Sequence, residues 1–369
     1  TAYRRQRQMC IRDRYKPEIA SEKNKVPFIA IIPGFQRSKE ALSNIAIELS
    51  RRGYVVGLID PYAQGLSSSS RSRIAATTQG YGMFALIEHV NESSDFNFIN
   101  KELLGSTGHS MGGNAAIRGA NYFGKKADKQ NKKSLLHSVY VSGYVLTLRD
   151  DVLKDVRSNV GVSYALYDEG SFRNELKNWD AANMKIAPES LRTVNSGLKK
   201  EEHISEVELG KYYGDLESNT LRVIFNEELL HPFQPYNAEA TANQLAYFET
   251  VFGAPIKLDT FDQIWQWKEF FTLLNMIISF WLLIPLTRTL LKINFFKTLV
   301  KPIPEALPVQ NRVGKTIFWS VFFISAGIAC VTFIPLVEVA KTLFPEAATR
   351  QLTWFFPQRM NNSVMLWAL

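Results

Sequence analysis

The chain reads Gly108-His109-Ser110-Met111-Gly112 where an apolar run, residues 103–107, gives way to a helix-like run over 114–123. A Gly-x-Ser-x-Gly pentapeptide set between a strand and a helix puts its serine on a sharp turn and pushes that side chain out above the sheet. The glycines are needed there because a Cβ would collide with the neighbouring strand and helix. Ser110 is therefore read as a nucleophile. The competing reading is a glycine-rich turn that only closes a strand-helix unit, and the flanking strand and helix favour the nucleophile.

Working outward, 26–32 reads as a short apolar strand, 40–52 as a helix with Leu42, Ile45, Ile47 and Leu49 on one side, and 54–59 as another strand. The alternation continues with helices over 78–90 and 113–123, strands over 103–107, 138–142, 160–167 and 220–225, and a closing helix over 238–252. Strands alternating with helices imply crossover connections, so the expectation is an α/β fold with a doubly wound, mostly parallel sheet. Residues 170–219 carry no strand signal and are too long for a bare loop in a compact domain. They are expected to form a helical insertion before the last strand, either a lid or cap over the site or a solvated surface excursion.

A serine hydroxyl needs a base within reach and a third group to orient that base. Of the five histidines, His109 sits in the turn itself, where its side chain is expected to point away from that of Ser110. His89 lies on a helix, His137 at a strand start and His203 in a charged run, whereas His231 follows the last strand, just before the closing helix. His231 is thus the expected base. The strand 160–167 runs into Asp168-Glu169, and Asp168 is preferred as the orienting acid because it comes first, with Glu169, Asp180 and Glu227 as fallbacks. The oxyanion of an acyl-transfer intermediate needs two N–H donors. They are expected from the backbones of Met111, after the nucleophile, and Phe35, in the loop after the first parallel strand.

With these residues in place, the stretch from about 26 to 252 resembles an α/β-hydrolase of the serine esterase and lipase kind. The order Ser110, Asp168, His231 matches that family's order of nucleophile, acid and base. Gly108-His109-Ser110-Met111-Gly112-Gly113 resembles its elbow, Pro33-Gly34-Phe35 its oxyanion loop, and Asp60-Pro61-Tyr62-Ala63-Gln64-Gly65-Leu66-Ser67 is similar to its Asp-x-x-Gly-x-Gly-x-Ser loop. It departs from the pattern in Pro33 where many members have His, in the shortened Gln64-Gly65 version of the second loop, and in carrying the insertion ahead of the final strand.

Two segments hold no charged residue: the eighteen residues 270–287 and the twenty-two residues 316–337. Each is long enough to cross a hydrocarbon core as a helix. Membrane helices are expected near 270–291 and 316–337, with a truncated third from 363. Two Lys or Arg fall in 254–269, six in 288–315 and three in 338–362, so the middle connection is expected on the cytoplasmic side and the hydrolase domain on the extracytoplasmic side. The organisation read from the sequence is therefore 1–15 a non-native or disordered stretch, 16–253 the hydrolase domain and 254–369 an all-α membrane region. The natural protein is expected to be longer at both ends.

The net charge of +8 does not signal nucleic acid, because it is concentrated in residues 1–15 and 288–315 and leaves the rest of the chain near neutral. The two cysteines, Cys10 and Cys330, imply neither a disulfide framework nor a zinc site, and no metal or cofactor is expected. The expected function is a membrane-anchored serine hydrolase acting on a carboxylic ester, an acyl lipid or an acylated small molecule, through an acyl-enzyme. Two alternatives stay open: a transporter or channel-like protein with a non-catalytic hydrolase-like sensor, and a peptidase or amidase using the same triad. The first is disfavoured because neither apolar segment contains a charge of the kind that marks a transport path.

Overall fold

The computed structural model describes residues 12–62, 64–67, 78–302, 311–349 and 353–369. Cys10 with most of the first fifteen residues, Ala63, the serine run 68–70 and residues 303–310 of the middle connection lie outside that set. The chain divides into two compact units, one running to Trp265 and the other comprising the described residues from Gln266 onward.

The first unit is built on a seven-stranded sheet: β1 (Arg12–Tyr15), β2 (Val26–Ile32), β3 (Val55–Ile59), β4 (Ile99–His109), β5 (Ser138–Ser142), β6 (Asn159–Ala165) and β7 (Arg222–Glu227), in the order β1-β3-β2-β4-β5-β6-β7. Every pairing is parallel except that of β1 with β3. The sequence explains why these strands are central. In Val26–Ile32 all seven residues are buried, the mark of a strand covered on both faces. Alternate side chains then serve opposite layers. Phe28, Ala30 and Ile32 meet Met83, Phe84 and Ile87 of helix α2 (Met83–Glu92) and Ala116, Ala120 and Phe123 of α3 (Met111–Gln130). Ile29 and Ile31 meet Ile45 and Leu49 of α1 (Ser43–Arg51), and Leu245 and Phe248 of the closing helix α5 (Ala238–Phe252). This is the α/β-hydrolase architecture, with its carboxyl edge formed by the ends of β4, β6 and β7.

Three sequence expectations change. Arg12–Tyr15, set aside with residues 1–15, forms the antiparallel edge strand, its Arg12 and Tyr15 opposite Ile59 and Val56. A polar edge strand needs only one neighbour and carries no apolar run to reveal it. Residues 170–219 are only partly helical, with one two-turn helix, α4 (Pro188–Asn195), among short 3₁₀ turns. Outside α4, asparagine side chains bond the local backbone in place of a helical ladder, as Asn174 does to Ala181, Asn178 to Asp180 and Asn183 to Lys185. Nor is the segment a solvated excursion, since Met184, Ala187, Val194 and Val207 are buried in the same core as β6.

The third change is the end of the unit, which falls at Trp265 rather than at 253. Arg52, fully buried, pairs with Glu48 at 3.1 Å and donates to the carbonyls of Asp259 and Asp262, while Glu48 Oε1 accepts the backbone N–H groups of Ile264 and Trp265. These bonds fasten 254–265 to α1.

The second unit holds α6 (Trp265–Leu290) and α7 (Arg312–Leu343), 26 and 32 residues long. At 1.5 Å per residue they extend about 39 and 48 Å, more than a hydrocarbon core of about 30 Å. Both are long and apolar enough to cross a membrane. Their apolar side chains stand exposed all round, Trp281, Phe280, Phe323 and Val331 among them. A last helix, α8 (Arg359–Ala368), lies against α7: the Trp367 indole N–H donates to the Ala329 carbonyl at 2.8 Å, and its ring meets Phe333.

Candidate active site

The site begins where β4 turns into α3. Ser110 bridges them with φ 57° and ψ −118°, a conformation that costs a residue with a Cβ about 1–3 kcal/mol. It is held there by its own N–H, which donates to the Ser142 carbonyl of β5 at 2.7 Å. The flanking glycines are steric requirements: a Cβ on Gly112 would stand 1.8 Å from the Ile32 carbonyl oxygen, and one on Gly108 2.4 Å from the same atom.

The loop after β2 closes on this turn. A Cβ on Gly34 would lie 3.3 Å from Ser110 Cβ, so the Pro33-Gly34-Phe35 backbone runs directly against the serine. A second loop fixes its course. The buried Gln64 carboxamide accepts from Gln36 N–H at 3.0 Å and donates to the Gly34 and Arg37 carbonyls at 3.0 and 2.8 Å. Asp60, at the end of β3, accepts the backbone N–H groups of Lys39 and Leu66, joining the two loops at a second point.

Asp168 and His231 arrive from the ends of β6 and β7. The Leu166 and Tyr167 N–H groups donate to the Glu227 and Leu229 carbonyls, which carries the pairing of the two strands past their ends. His231 Nδ1 then lies 2.9 Å from Asp168 Oδ2. Burial would raise the Asp168 carboxyl, but the His231 hydrogen bond and charge, the Gly170 N–H and the Tyr164 hydroxyl outweigh it and hold the group below its ordinary value. Asp168 is therefore ionised at neutral pH. Glu169 is exposed, Asp180 is exposed on a surface turn capped by Asn178, and Glu227 is buried among Ser163, Gln234 and Asn243, where burial pushes its carboxyl up. None of the three bonds His231.

Ser110, His231 and Asp168 line one cleft of about 400 Å³, together with Phe35, Met111, Asn114, Tyr81 and Tyr144. No hydrogen bond joins Ser110 Oγ to His231; such bonds are often long before substrate arrives. From the insertion, Gly170, Arg173 and Asn174 reach the cleft.

His109 is not among the residues lining the cleft, and it has a contact that the sequence did not reveal. Its ring is buried and lies against the His231 ring, centroids 4.5 Å apart. Burial, reinforced by the nearby His231 and Arg37, holds His109 well below its ordinary value and keeps it neutral. Gln64, Asp60, Tyr164 and Arg173 were also not singled out for such contacts by the sequence. Gln64 and Asp60 lay in the motif loop, where polar side chains between glycine-rich turns are the only signal.

A family model described as PET hydrolase-like matches residues 13–171, a span that carries Ser110 and Asp168 and stops before His231. Among solved structures, an esterase of Pyrococcus furiosus is 11% identical, with 66% of this chain and 93% of that one covered and a TM-score of 0.42. Thermogutta terrifontis esterase 2, solved phosphorylated by paraoxon, is 12% identical over 67% and 90% of the two chains, TM-score 0.44. The esterase Est1E of Butyrivibrio proteoclasticus, solved with ferulic acid, is 12% identical over 66% and 92%, TM-score 0.39. A comparison with curated proteins gives no match.

Proposed function

We propose that this chain, whose first unit has the α/β-hydrolase fold, is a membrane-anchored serine hydrolase of the esterase type that cleaves a carboxylic ester, an acyl lipid or an acylated small molecule. The observation that carries the reading is that the strained Ser110 shares one cleft with His231, itself hydrogen-bonded to an ionised Asp168. In this mechanism Ser110 Oγ attacks the ester carbonyl as its proton passes to His231 Nε2. Asp168 holds Nδ1–H and stabilises the imidazolium. The carbonyl oxygen, now negative, is met by the backbone N–H groups of Phe35 and Met111, the latter at the positive end of α3. The C–O bond to the alcohol then breaks, and the alkoxide takes the proton from His231. Water, deprotonated by the same imidazole, attacks the acyl-enzyme and releases the acid and free Ser110.

The membrane part of the proposal rests on α6 and α7, and the excess of basic residues in 288–315 supports the reading that the hydrolase unit is extracytoplasmic. A fluorophosphonate probe tests the chemistry: it should label the wild type and not Ser110→Ala. A folded wild type that takes no label would refute the proposal.

A further inference from the structure

Among the fifteen residues that line the cleft, Arg173 is the one charged side chain outside the Ser110, His231 and Asp168 set. Its side chain is exposed, and its described hydrogen bond goes to a backbone carbonyl. Nε donates to the Gly170 carbonyl at 3.3 Å, and among the described residues no carboxylate forms an ion pair with it. Asp168 is engaged by His231 and Gly170 N–H, Glu175 pairs with Arg192, and Glu169 forms no ion pair. The side chain folds back over the turn that bears the acid: a Cβ on Gly170 would stand 2.5 Å from Arg173 Nη2, so this glycine leaves room for the guanidinium at the cleft.

A second arginine is bonded to a lining residue. Asn114, a lining residue, accepts from Arg118 Nε at 3.1 Å, and Arg118 likewise has no carboxylate partner among the described residues. Both arginines, with Arg149, act electrostatically on Tyr144, another lining residue; Arg149 is already paired with Asp151. The remaining wall is apolar or neutral: Phe35, Met111, Val145 and Leu146. An arginine fork without a partner in a partly enclosed cleft suits a planar or tetrahedral oxyanion, which it can hold through two parallel hydrogen bonds.

We propose that the ester this site takes carries an anionic group, a carboxylate or a phosphate, and that Arg173 is the residue that selects it, with Arg118 adding to the field. The proposal rests on the esterase reading above. It leaves the covalent steps unchanged and specifies which substrate they act on.

Two matched pairs of esters test it on the full-length protein in detergent: 4-acetoxybenzoate against its methyl ester, and p-nitrophenyl hemisuccinate against p-nitrophenyl butyrate. The first pair puts the carboxylate on the alcohol half and the second on the acyl half. In one pair wild-type kcat/KM should favour the anionic member by about tenfold, the effect of one well-placed charged contact. Arg173→Gln should remove that preference chiefly through KM while leaving the neutral member within about twofold. Arg173→Lys should retain part of it, and raising the salt should weaken it. Calorimetry on Ser110→Ala, which should bind 4-acetoxybenzoate more tightly than its methyl ester, gives a readout free of turnover. Loss of all turnover in the wild type would count against the esterase reading. Turnover of the neutral esters with no anionic preference in either pair, or an equal loss on both members in Arg173→Gln, would overturn this inference alone.

Discussion

The imidazole of His109 lies against that of His231, ring centroids 4.5 Å apart and planes inclined at 39°, with His109 buried and His231 at the cleft. The buried ring gives the proposed base a flat wall that bears no charge, because burial keeps His109 unprotonated. This has a pH consequence. The unfolded chain takes up a proton at this residue below its ordinary value of 6.5, and the folded chain does not. Stability linked to His109 is therefore present above pH 6.5 and is lost as the pH falls below it. Denaturant titrations at pH 7.5 and pH 5.5 should show that loss, and His109→Phe should reduce the difference. An unchanged slope would mean that His109 does not titrate differently on folding.

The choice of orienting acid can be decided by kinetics. Asp168→Asn should lower kcat by roughly 10³–10⁴-fold, the scale of losing the group that sets the histidine tautomer. Glu169→Gln, altering an exposed side chain with no bond to His231, should stay within about twofold. Circular dichroism should show both variants folded.

The Gln64 carboxamide accounts for a third expectation. It holds Gln36 N–H and the Gly34 and Arg37 carbonyls, so Gln64→Ala should loosen the loop that presents Phe35 N–H. The expected result is a fall in kcat of about 10²-fold, somewhat less than complete loss of one oxyanion donor, with KM little changed. Fluorophosphonate labelling should slow in parallel. Gln64→Glu, which can accept but not donate at neutral pH, should fall between the two.

At the end of the first unit, Arg52→Met removes one of the two arginines bonded to the buried Glu48, Arg51 remaining at 2.8 Å, and the lost charge-assisted hydrogen bond costs about 1.5–3 kcal/mol. The bonds from Arg52 to Asp259 and Asp262 go with it. Limited trypsin digestion should then cut after Lys257, a site held against α1 in the wild type. Resistance equal to wild type would show that 254–265 is held by other contacts.

Cys330 lies in the middle of α7 and its side chain is exposed. If α7 crosses a bilayer, a water-soluble maleimide should fail to label Cys330 in intact vesicles of a Cys10→Ser variant and should label it once detergent is added. Labelling in intact vesicles would place Cys330 in water.

Much of the sheet was legible because a parallel strand covered on both faces must be apolar along its whole length, as Val26–Ile32 is. The Ser110 turn was legible because close approach to Ile32 admits only glycine on either side. Position after β7 picked out His231, since a residue there faces the carboxyl edge. The contacts that hold these residues in register were not legible. Gln64 acts on a loop 28 residues away, and His109 on a ring brought in from another strand, and neither relation has a period or a spacing. The 170–219 segment was legible as an insertion from its length, while its short 3₁₀ turns were not, because they depend on Asn side chains that bond nearby backbone. The charged strand Arg12–Tyr15 and the fastening of 254–265 by Arg52 likewise depend on partners far off in the chain.

The backbone of Ser110 has a further consequence. At φ 57° and ψ −118° it occupies ground that glycine holds without strain, so Ser110→Gly should melt at a higher temperature than the wild type while losing all turnover. Under the proposed mechanism, stability and catalysis are expected to pull in opposite directions at this residue. A screen for heat resistance alone would discard the serine, and only selection for product keeps it.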